Sequence, residues 1–184
     1  MAPILALILT ALVTFSPASA LWPLPTTLQT GSTALRLSAD FDIKVSVHPA
    51  PADLQAAVTR TKGYLKTDKL ERLVVGRGAN DSTAIRQGKE LSSLTVSLTS
   101  TSGTVRSISE EAMDALEDRD DAYSLTVPGD GSAATLKANS TLGLFRGLTT
   151  FGQLWYEFDG TTYTLEAPIQ IDDAPAYVSF LDVF

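Results

Sequence analysis

The chain has 184 residues, 44% of them hydrophobic, which is enough to close the core of one domain around a single sheet. Its formal charge of -7, from 14 basic and 21 acidic residues, argues against a nucleic acid partner, because phosphate backbones are bound by basic faces. The absence of cysteine excludes disulfides, thiolate nucleophiles and cysteine metal sites. Residues 110–121 are the densest acidic stretch and are typical of a solvated loop or helix face.

The first 20 residues have the pattern of a secretory signal peptide. Residues 4–15 form an almost unbroken apolar run, and Ala-Ser-Ala at 18–20 supplies small residues for cleavage. We therefore predict cleavage after residue 20 and a secreted location, either extracellular or in the lumen of a vacuole or lysosome. Pro17 interrupts the run, and a membrane span needs about 20 apolar residues, so no membrane association is expected.

Two N-glycosylation sequons agree with passage through a secretory pathway. They are Asn80-Asp81-Ser82 and Asn139-Ser140-Thr141. We predict glycans on Asn80 and Asn139.

The first half of the mature chain predicts an extended lead-in, two strands and a helix. Proline at 23 and 25 makes residues 22–25 extended, and the segment is expected to lie along the surface. Residues 35–37 and 41–47 alternate apolar and polar side chains, which indicates strands with one buried face. A helix is predicted from Pro51 to about Lys66, because apolar residues recur there at helical spacing.

The second half predicts a strand, a hairpin, a second helix and two last strands. The apolar run at 73–75 is too short to be assigned to the sheet, whereas 91–99 reads as a half-exposed strand. Pro-Gly-Asp-Gly at 128–131 separates strand patterns at 122–127 and 133–138. A second helix follows the hairpin, and its small residues Gly143 and Gly147 are expected to let its backbone approach the sheet closely. Its apolar stripe consists of Leu142, Phe145, Leu148, Gly152 and Trp155. The last two strands are predicted at 161–166 and 169–171.

These elements predict an α+β fold, with a mainly antiparallel sheet that carries two helices on one face. The expected domains are a signal peptide (1–20), an α+β domain (21–175) and an aberrant tail (176–184).

None of the candidate chemical motifs is complete. His48 is the only histidine and has no nucleophile motif beside it, so a strand-edge position is expected. Gly76-Arg77-Gly78 lacks the third glycine of a dinucleotide fingerprint and indicates a turn. We therefore predict no catalytic, substrate-binding or metal residue and no cofactor. Glycoside hydrolysis needs two carboxyl groups on either side of a sugar, but adjacent residues on a strand point in opposite directions. The adjacent carboxylate pairs are Glu110-Glu111, Asp120-Asp121 and Asp172-Asp173.

The stretch 138–154 contains the ordered run Gly-x-x-Arg-Gly-Leu-x-Thr-Phe-x-Gln-Leu and resembles the eukaryotic, fungal-type β-N-acetylhexosaminidases. The segments 120–125 and 172–175 resemble structural landmarks of the same family. The resemblance implies a zincin-like amino-terminal domain that packs against a catalytic (β/α)8 barrel. There an Asp-Glu pair would cleave terminal N-acetylhexosamine with help from the substrate's acetamido group. Arg146 is expected to serve in packing and surface hydrogen bonding.

The resemblance also implies that this chain stops before the barrel and is inactive alone. After Tyr177 the family continues with an aromatic-Arg-Gly segment, whereas here residues 178–184 read Val-Ser-Phe-Leu-Asp-Val-Phe. One hypothesis is that Val178-Ser179 is a translated, unspliced intron donor, which makes the last seven residues intron-encoded.

Two alternatives to an inactive supporting domain stay open. A secreted glycan-binding module would stack sugars on Trp22, Trp155 or Tyr156, although helical spacing places Trp155 in the core. A partner subunit, including a homo-oligomer, would cover the apolar surface meant for the barrel by pairing with a homologue.

Overall fold

The structure is a computed structural model that describes residues 21–68, 76–100 and 103–174. Several predictions concern residues outside these ranges and stay predictions: the signal peptide at 1–20, the apolar run at 73–75, and the tail at 176–184 with its intron hypothesis.

The described chain alternates strands and helices. In order, the elements are β1 (Thr27–Ser46), α1 (Ala52–Thr67), α2 (Ser82–Gln87), β2 (Lys89–Leu98), α3 (Ile108–Ala112), a 3-10 turn (Leu116–Asp118), β3 (Tyr123–Val127), β4 (Ala134–Ala138), α4 (Thr141–Gln153), β5 (Tyr156–Phe158) and β6 (Thr161–Asp173). The α+β class and the two long helices, α1 and α4, are as predicted. The short helices α2 and α3 and the strand β5 were not foreseen.

The strands form one six-stranded sheet in the order β1-β2-β4-β3-β6-β5, with a further ladder between β1 and β6. Four ladders are antiparallel, while β1–β2 and β2–β4 are parallel. The parallel pair β1–β2 needs a crossover, which the segment containing α1 and α2 provides. The predicted hairpin is confirmed as β3–β4, whose turn uses Gly131 at a φ of +85°. The sheet is therefore mainly antiparallel, as expected.

The prediction of two separate first strands is wrong, because β1 is one strand of 20 residues. Its first part pairs with β6 from Thr27 to Arg36, and its last part pairs with β2. A register shift between Leu37 and Asp42 absorbs the break in the alternating pattern. Likewise β6 runs continuously through Pro168, where two strands were expected. Pairing with distant segments, rather than local pattern, sets the length of both strands.

The core lies between the sheet and the pair α1 and α4, which pack against each other. From α1 it receives Leu54, Ala57, Val58 and Leu65, and from α4 it receives Leu144, Leu148 and Phe151. Phe151 stacks on Phe41 of β1 at a centroid distance of 6.0 Å and meets Trp155 edge-on at 5.5 Å. The helix ends at Gln153, so Trp155 lies beyond it and not on its stripe, but its side chain is fully buried.

The predicted close approach of α4 to the sheet is confirmed at two glycines. A methyl group at Gly143 would overlap the carbonyl oxygen of Ala122, and one at Gly147 would overlap the side chain of Leu136. Both glycines are buried, and their missing side chains let the helix backbone touch β4 and the segment that enters β3.

Candidate functional site: the surroundings of helix α4

The amino terminus of α4 is held by polar groups from three segments. Ser140 caps the helix by accepting a hydrogen bond from the Gly143 N–H at 2.8 Å, and its hydroxyl donates to the carbonyl of Asp120. The carboxylate of Glu111 accepts from the backbone N–H of Leu142 at 2.7 Å and from the hydroxyl of Thr141 at 2.8 Å. Glu111 thus satisfies a free N–H group of the first turn, where a negative charge is favoured.

Asp121 is buried, with 1% of its side chain exposed, and accepts from the Arg146 Nε at 2.9 Å. Arg146, on the outer side of α4, remains 47% exposed. The expectation that the whole acidic stretch is solvated is wrong at Asp121, because this carboxylate is buried. Arg146 does make the surface hydrogen bond expected of it, and its partner is a buried carboxylate.

The remaining acidic groups around α3 also bind the protein itself. Glu110 completes a capping box with Ser107, and these hydrogen bonds hold the pKa of Glu110 below its usual value. Asp53, in the first turn of α1, accepts from the N–H and hydroxyl of Ser109 at 2.9 Å and 3.1 Å. Burial raises the pKa of Asp53, but the hydrogen bonds from Ser109, Ile108 and Leu54 together outweigh it and leave the pKa lowered.

The last carboxylate pair lies at the end of β6 and accepts hydrogen bonds from two other segments. Asp172 accepts from the hydroxyl of Ser124 on β3 at 2.5 Å. Asp173 accepts from the N–H and the hydroxyl of Thr26, both at 3.0 Å, and so ties the lead-in segment to the end of the last strand. With Asp120, which accepts from the side chain of Asn139 at 3.0 Å, all six paired carboxylates have structural donors.

The other candidate motifs lie apart from this region. His48 is exposed just after β1, and the glycines at 76 and 78 form a hydrogen-bonded turn with positive φ. Within the described ranges, no three His, Cys, Asp or Glu side chains come together as a metal site would need. The helices in those ranges are all too short or too polar to cross a bilayer.

A second, smaller apolar cluster joins α2 to β5 and β6. Its buried members are Ile85, Tyr156 and Tyr163, and the guanidinium of Arg77 lies 3.8 Å from the centre of the Tyr156 ring. Burial raises the pKa of the nearby Glu166, and the charge of Arg77 opposes that rise only in part.

Of the three aromatic residues considered for sugar stacking, two are inaccessible. Trp155 is fully buried and Tyr156 is 5% exposed, so neither offers a ring face to a ligand. Trp22 is 83% exposed. Its backbone is held from both sides by the amide of Gln153, which accepts from the Trp22 N–H at 2.7 Å and donates to its carbonyl at 3.0 Å. The sequence analysis assigned no role to Gln153, although it belongs to the motif in 138–154.

Trp22 borders a surface hollow of 200 Å³ beside α4. The hollow is also lined by Pro23, Arg146, Thr150 and Asp173. Tyr123 forms part of its floor, and its hydroxyl shares a hydrogen bond of 2.6 Å with Thr150. Burial raises the pKa of Tyr123 to about 12, although the hydrogen bond with Thr150 lowers it.

Two further hollows adjoin this one. One, of 310 Å³, lies between α1 and α4 and shares Thr149 and Gln153 with the Trp22 hollow. The other, also 310 Å³, shares Tyr123 and Asp173 with it and reaches Ala174, where the described chain leaves β6. The Trp22 hollow therefore adjoins both of the others, and α4 contributes to two of the three.

Comparison with known proteins identifies the relatives of this domain. The sequence model of a family described as "beta-acetyl hexosaminidase like" matches residues 21–154. The β-hexosaminidase subunit beta of Felis catus is 33% identical over 165 residues, which are 86% of this chain and 28% of that protein. A chitobiase of Flavobacterium johnsoniae superposes with a TM-score of 0.56 over 86% of this chain and 21% of its own, at 20% identity, and so shares the fold.

The chain thus spans less than a third of the length of either relative. The match with the family covers β1 to the end of α4, including every residue that anchors the helix. The chain belongs to the beta-acetyl hexosaminidase-like family, and its domain is the non-catalytic amino-terminal domain of family 20 hexosaminidases.

Proposed function

We propose that this domain is the supporting part of a fungal-type β-N-acetylhexosaminidase and that it packs against a catalytic (β/α)8 barrel. In that full-length enzyme the barrel would hydrolyse terminal N-acetylhexosamine from glycans or chitin oligomers, and the chain alone would be inactive. The observation that carries the proposal is that the paired acidic side chains serve the fold of the domain and not a catalytic site. Each paired carboxylate is bonded to a donor of the domain's own fold, as in Asp121 with Arg146 and Glu111 with the start of α4.

The first experiment assays the isolated chain with an aryl N-acetylglucosaminide. We expect no turnover above that of a mock preparation from the same host. Turnover that co-purifies with the chain and survives removal of host glycosidases contradicts the proposal.

A second experiment tests the supporting role directly. In the cat subunit, the segment aligned with this chain is replaced by residues 21–174, and a second form carries a deletion of that segment. We expect the chimera to be expressed as an active enzyme and the deleted form to be lost or inactive, because the barrel surface would be left uncovered. A deleted form as stable and active as the parent contradicts a supporting role.

We also propose that the chain is secreted to the cell exterior or into a vacuolar or lysosomal lumen, and that it carries glycans. Both acceptor side chains, Asn80 and Asn139, are exposed. Asn139 donates to Asp120, and the hydroxyl of its sequon belongs to Thr141, which is fully buried. We expect fuller occupancy at Asn80, measured by glycopeptide mass spectrometry after expression in a eukaryotic secretory host. Cytosolic retention of the chain, with no glycan on either residue, contradicts this proposal.

A secreted glycan-binding module is the second candidate, favoured by one observation. Trp22 presents an exposed indole beside the polar side chains of Arg146, Thr149 and Gln153, an arrangement that suits sugar stacking. Retention of the isolated chain on chitin, lost in Trp22→Ala, would support it.

A further inference from the structure

The face of the sheet that points away from α1 and α4 is polar on β3 and β4. Side chains alternate along a strand, and every second residue of these two strands is buried in the core. The residues between them are exposed or half-buried, and all of them are polar: Ser124 and Thr126 on β3, and Thr135 and Lys137 on β4. This part of the sheet therefore offers hydrogen-bonding groups to whatever covers it.

Lys137 belongs to a polar row that crosses four strands. In register order the row consists of Lys137 on β4, Ser124 on β3, Asp172 on β6 and Thr27 on β1. Neighbouring strands are about 4.8 Å apart, so the row is roughly 14 Å long. All four residues line the hollow of 310 Å³ at the end of β6, and so does Asn139. The hollow thus joins a glycan acceptor to a row of donors and acceptors.

Asn139 is held in one orientation at this hollow. It follows β4 in phase with Lys137 and is exposed. Its Nδ2 donates to the carboxylate of Asp120 at 3.0 Å. An N-linked sugar replaces only one of the two hydrogens on Nδ2, so the second hydrogen remains available to Asp120. The direction of the first sugar is restricted in this way, which reduces the entropy that it loses on contact with the sheet.

We propose that the innermost N-acetylglucosamine on Asn139 lies in this hollow, across the polar row, and does not project into solvent. The ammonium of Lys137 donates to oxygens of the sugar. Asp172 uses one carboxylate oxygen for Ser124, and its other oxygen accepts from a sugar hydroxyl. The inference rests on the proposed glycosylation of Asn139 and names the surface that this glycan covers.

A form of the chain with one sugar tests the inference. In the Ser82→Ala chain, Asn139 is the one remaining sequon. Secretion from a eukaryotic host, followed by endoglycosidase trimming, leaves a single N-acetylglucosamine on it, whereas the same chain made in bacteria carries none. We expect acetylation of the Lys137 amine to be slower by about fivefold or more in the single-sugar form. Lys66 is the matched control, because it is exposed on α1 and does not line this hollow. Its acetylation rate should change by less than about twofold.

The outcomes separate the inference from the glycosylation on which it rests. Equal acetylation of Lys137 in the two forms overturns the inference, while glycosylation of Asn139 stands. If the secreted chain carries no glycan on Asn139, both fail. The Asn139→Gln chain, with a trimmed sugar on Asn80 alone, should leave Lys137 unprotected. Equal protection of Lys137 in that chain would mean that the shielding does not come from Asn139, and would also overturn the inference.

Heat stability provides a second measurement. The single-sugar form should melt about 3 °C above the form without sugar, because a few new hydrogen bonds have an effect of this size on a domain of this length. Lys137→Ala should remove at least half of that difference, and Lys66→Ala should preserve it. Equal melting temperatures of the two unsubstituted forms, or a difference that survives Lys137→Ala, would contradict the contact between the sugar and the polar row.

Discussion

Arg146 and Asp121 join the outer side of α4 to the entry of β3 through one ion pair, with 2.9 Å between the Arg146 Nε and the Asp121 Oδ2. The carboxylate is buried while the guanidinium is half-exposed. Removing the guanidinium leaves a buried charge without this partner, so Arg146→Ala should lower the free energy of unfolding by about 1–3 kcal/mol. Chemical denaturation of the isolated chain measures the change.

A double-mutant cycle separates the pair from general effects of truncation. With Asp121→Ala, the coupling energy should be at least about 1 kcal/mol. Arg86→Ala, at an exposed arginine of α2, should change stability by less than about 0.5 kcal/mol. A coupling energy near zero would mean that the ion pair does not contribute to stability.

Glycines in α4 should respond to alanine with opposite signs. Gly143→Ala places a methyl group against the backbone carbonyl of Ala122, which cannot move aside, and should cost about 2 kcal/mol or more. Gly152→Ala meets no atom within 4 Å and should stabilise the helix by up to about 1 kcal/mol. Thermal unfolding of the two variants checks the prediction, and a stable Gly143→Ala protein would refute the close approach of α4 to the sheet.

Alkaline pH should weaken the domain partly through Tyr123. Its pKa rises to about 12 in the folded chain, mainly because it is buried, while an unfolded tyrosine has a pKa of about 10. The unfolded state therefore loses its proton first, and the stability that Tyr123 contributes is present below about pH 10 and lost as pH rises towards about 12. Tyr123→Phe should show a shallower fall of unfolding free energy over that range, although losing the hydrogen bond to Thr150 costs about 1 kcal/mol at neutral pH. The exposed Tyr64→Phe should keep the full fall.

Glu166 should destabilise the domain at neutral pH, because burial raises its pKa above the usual value. The folded state then holds its proton more tightly than the unfolded state, so stability is greatest below the ordinary pKa and declines as pH rises through the folded value. Glu166→Gln should raise the melting temperature at neutral pH. The gain in the free energy of unfolding should be no more than about 1 kcal/mol, because the side chain is partly exposed. The advantage should disappear below about pH 4, where the carboxyl is protonated in both states. Glu117→Gln, at an exposed site, serves as the control, and an equal gain in both variants would contradict the role of burial.

The local sequence pattern around α4 was sufficient to predict the parts of the fold that depend on near neighbours. The hairpin turn at 128–131, the helix that follows the hairpin and the glycines at 143 and 147 follow from spacing and backbone preference, which act over a few residues. The motif that spans this helix also indicated the family, since it lies within the matched segment.

Distant contacts set the remaining features of the domain. Residues 27–34 are too polar to be assigned as a strand from their pattern, yet they become one because β6 supplies their hydrogen bonds. Burial of Asp121 and exposure of Trp22 likewise depend on partners 25 and 131 residues away, Arg146 and Gln153. A side chain's own type does not reveal such a partner, because hydrogen bonding and burial are decided by whichever groups the folded chain brings alongside it.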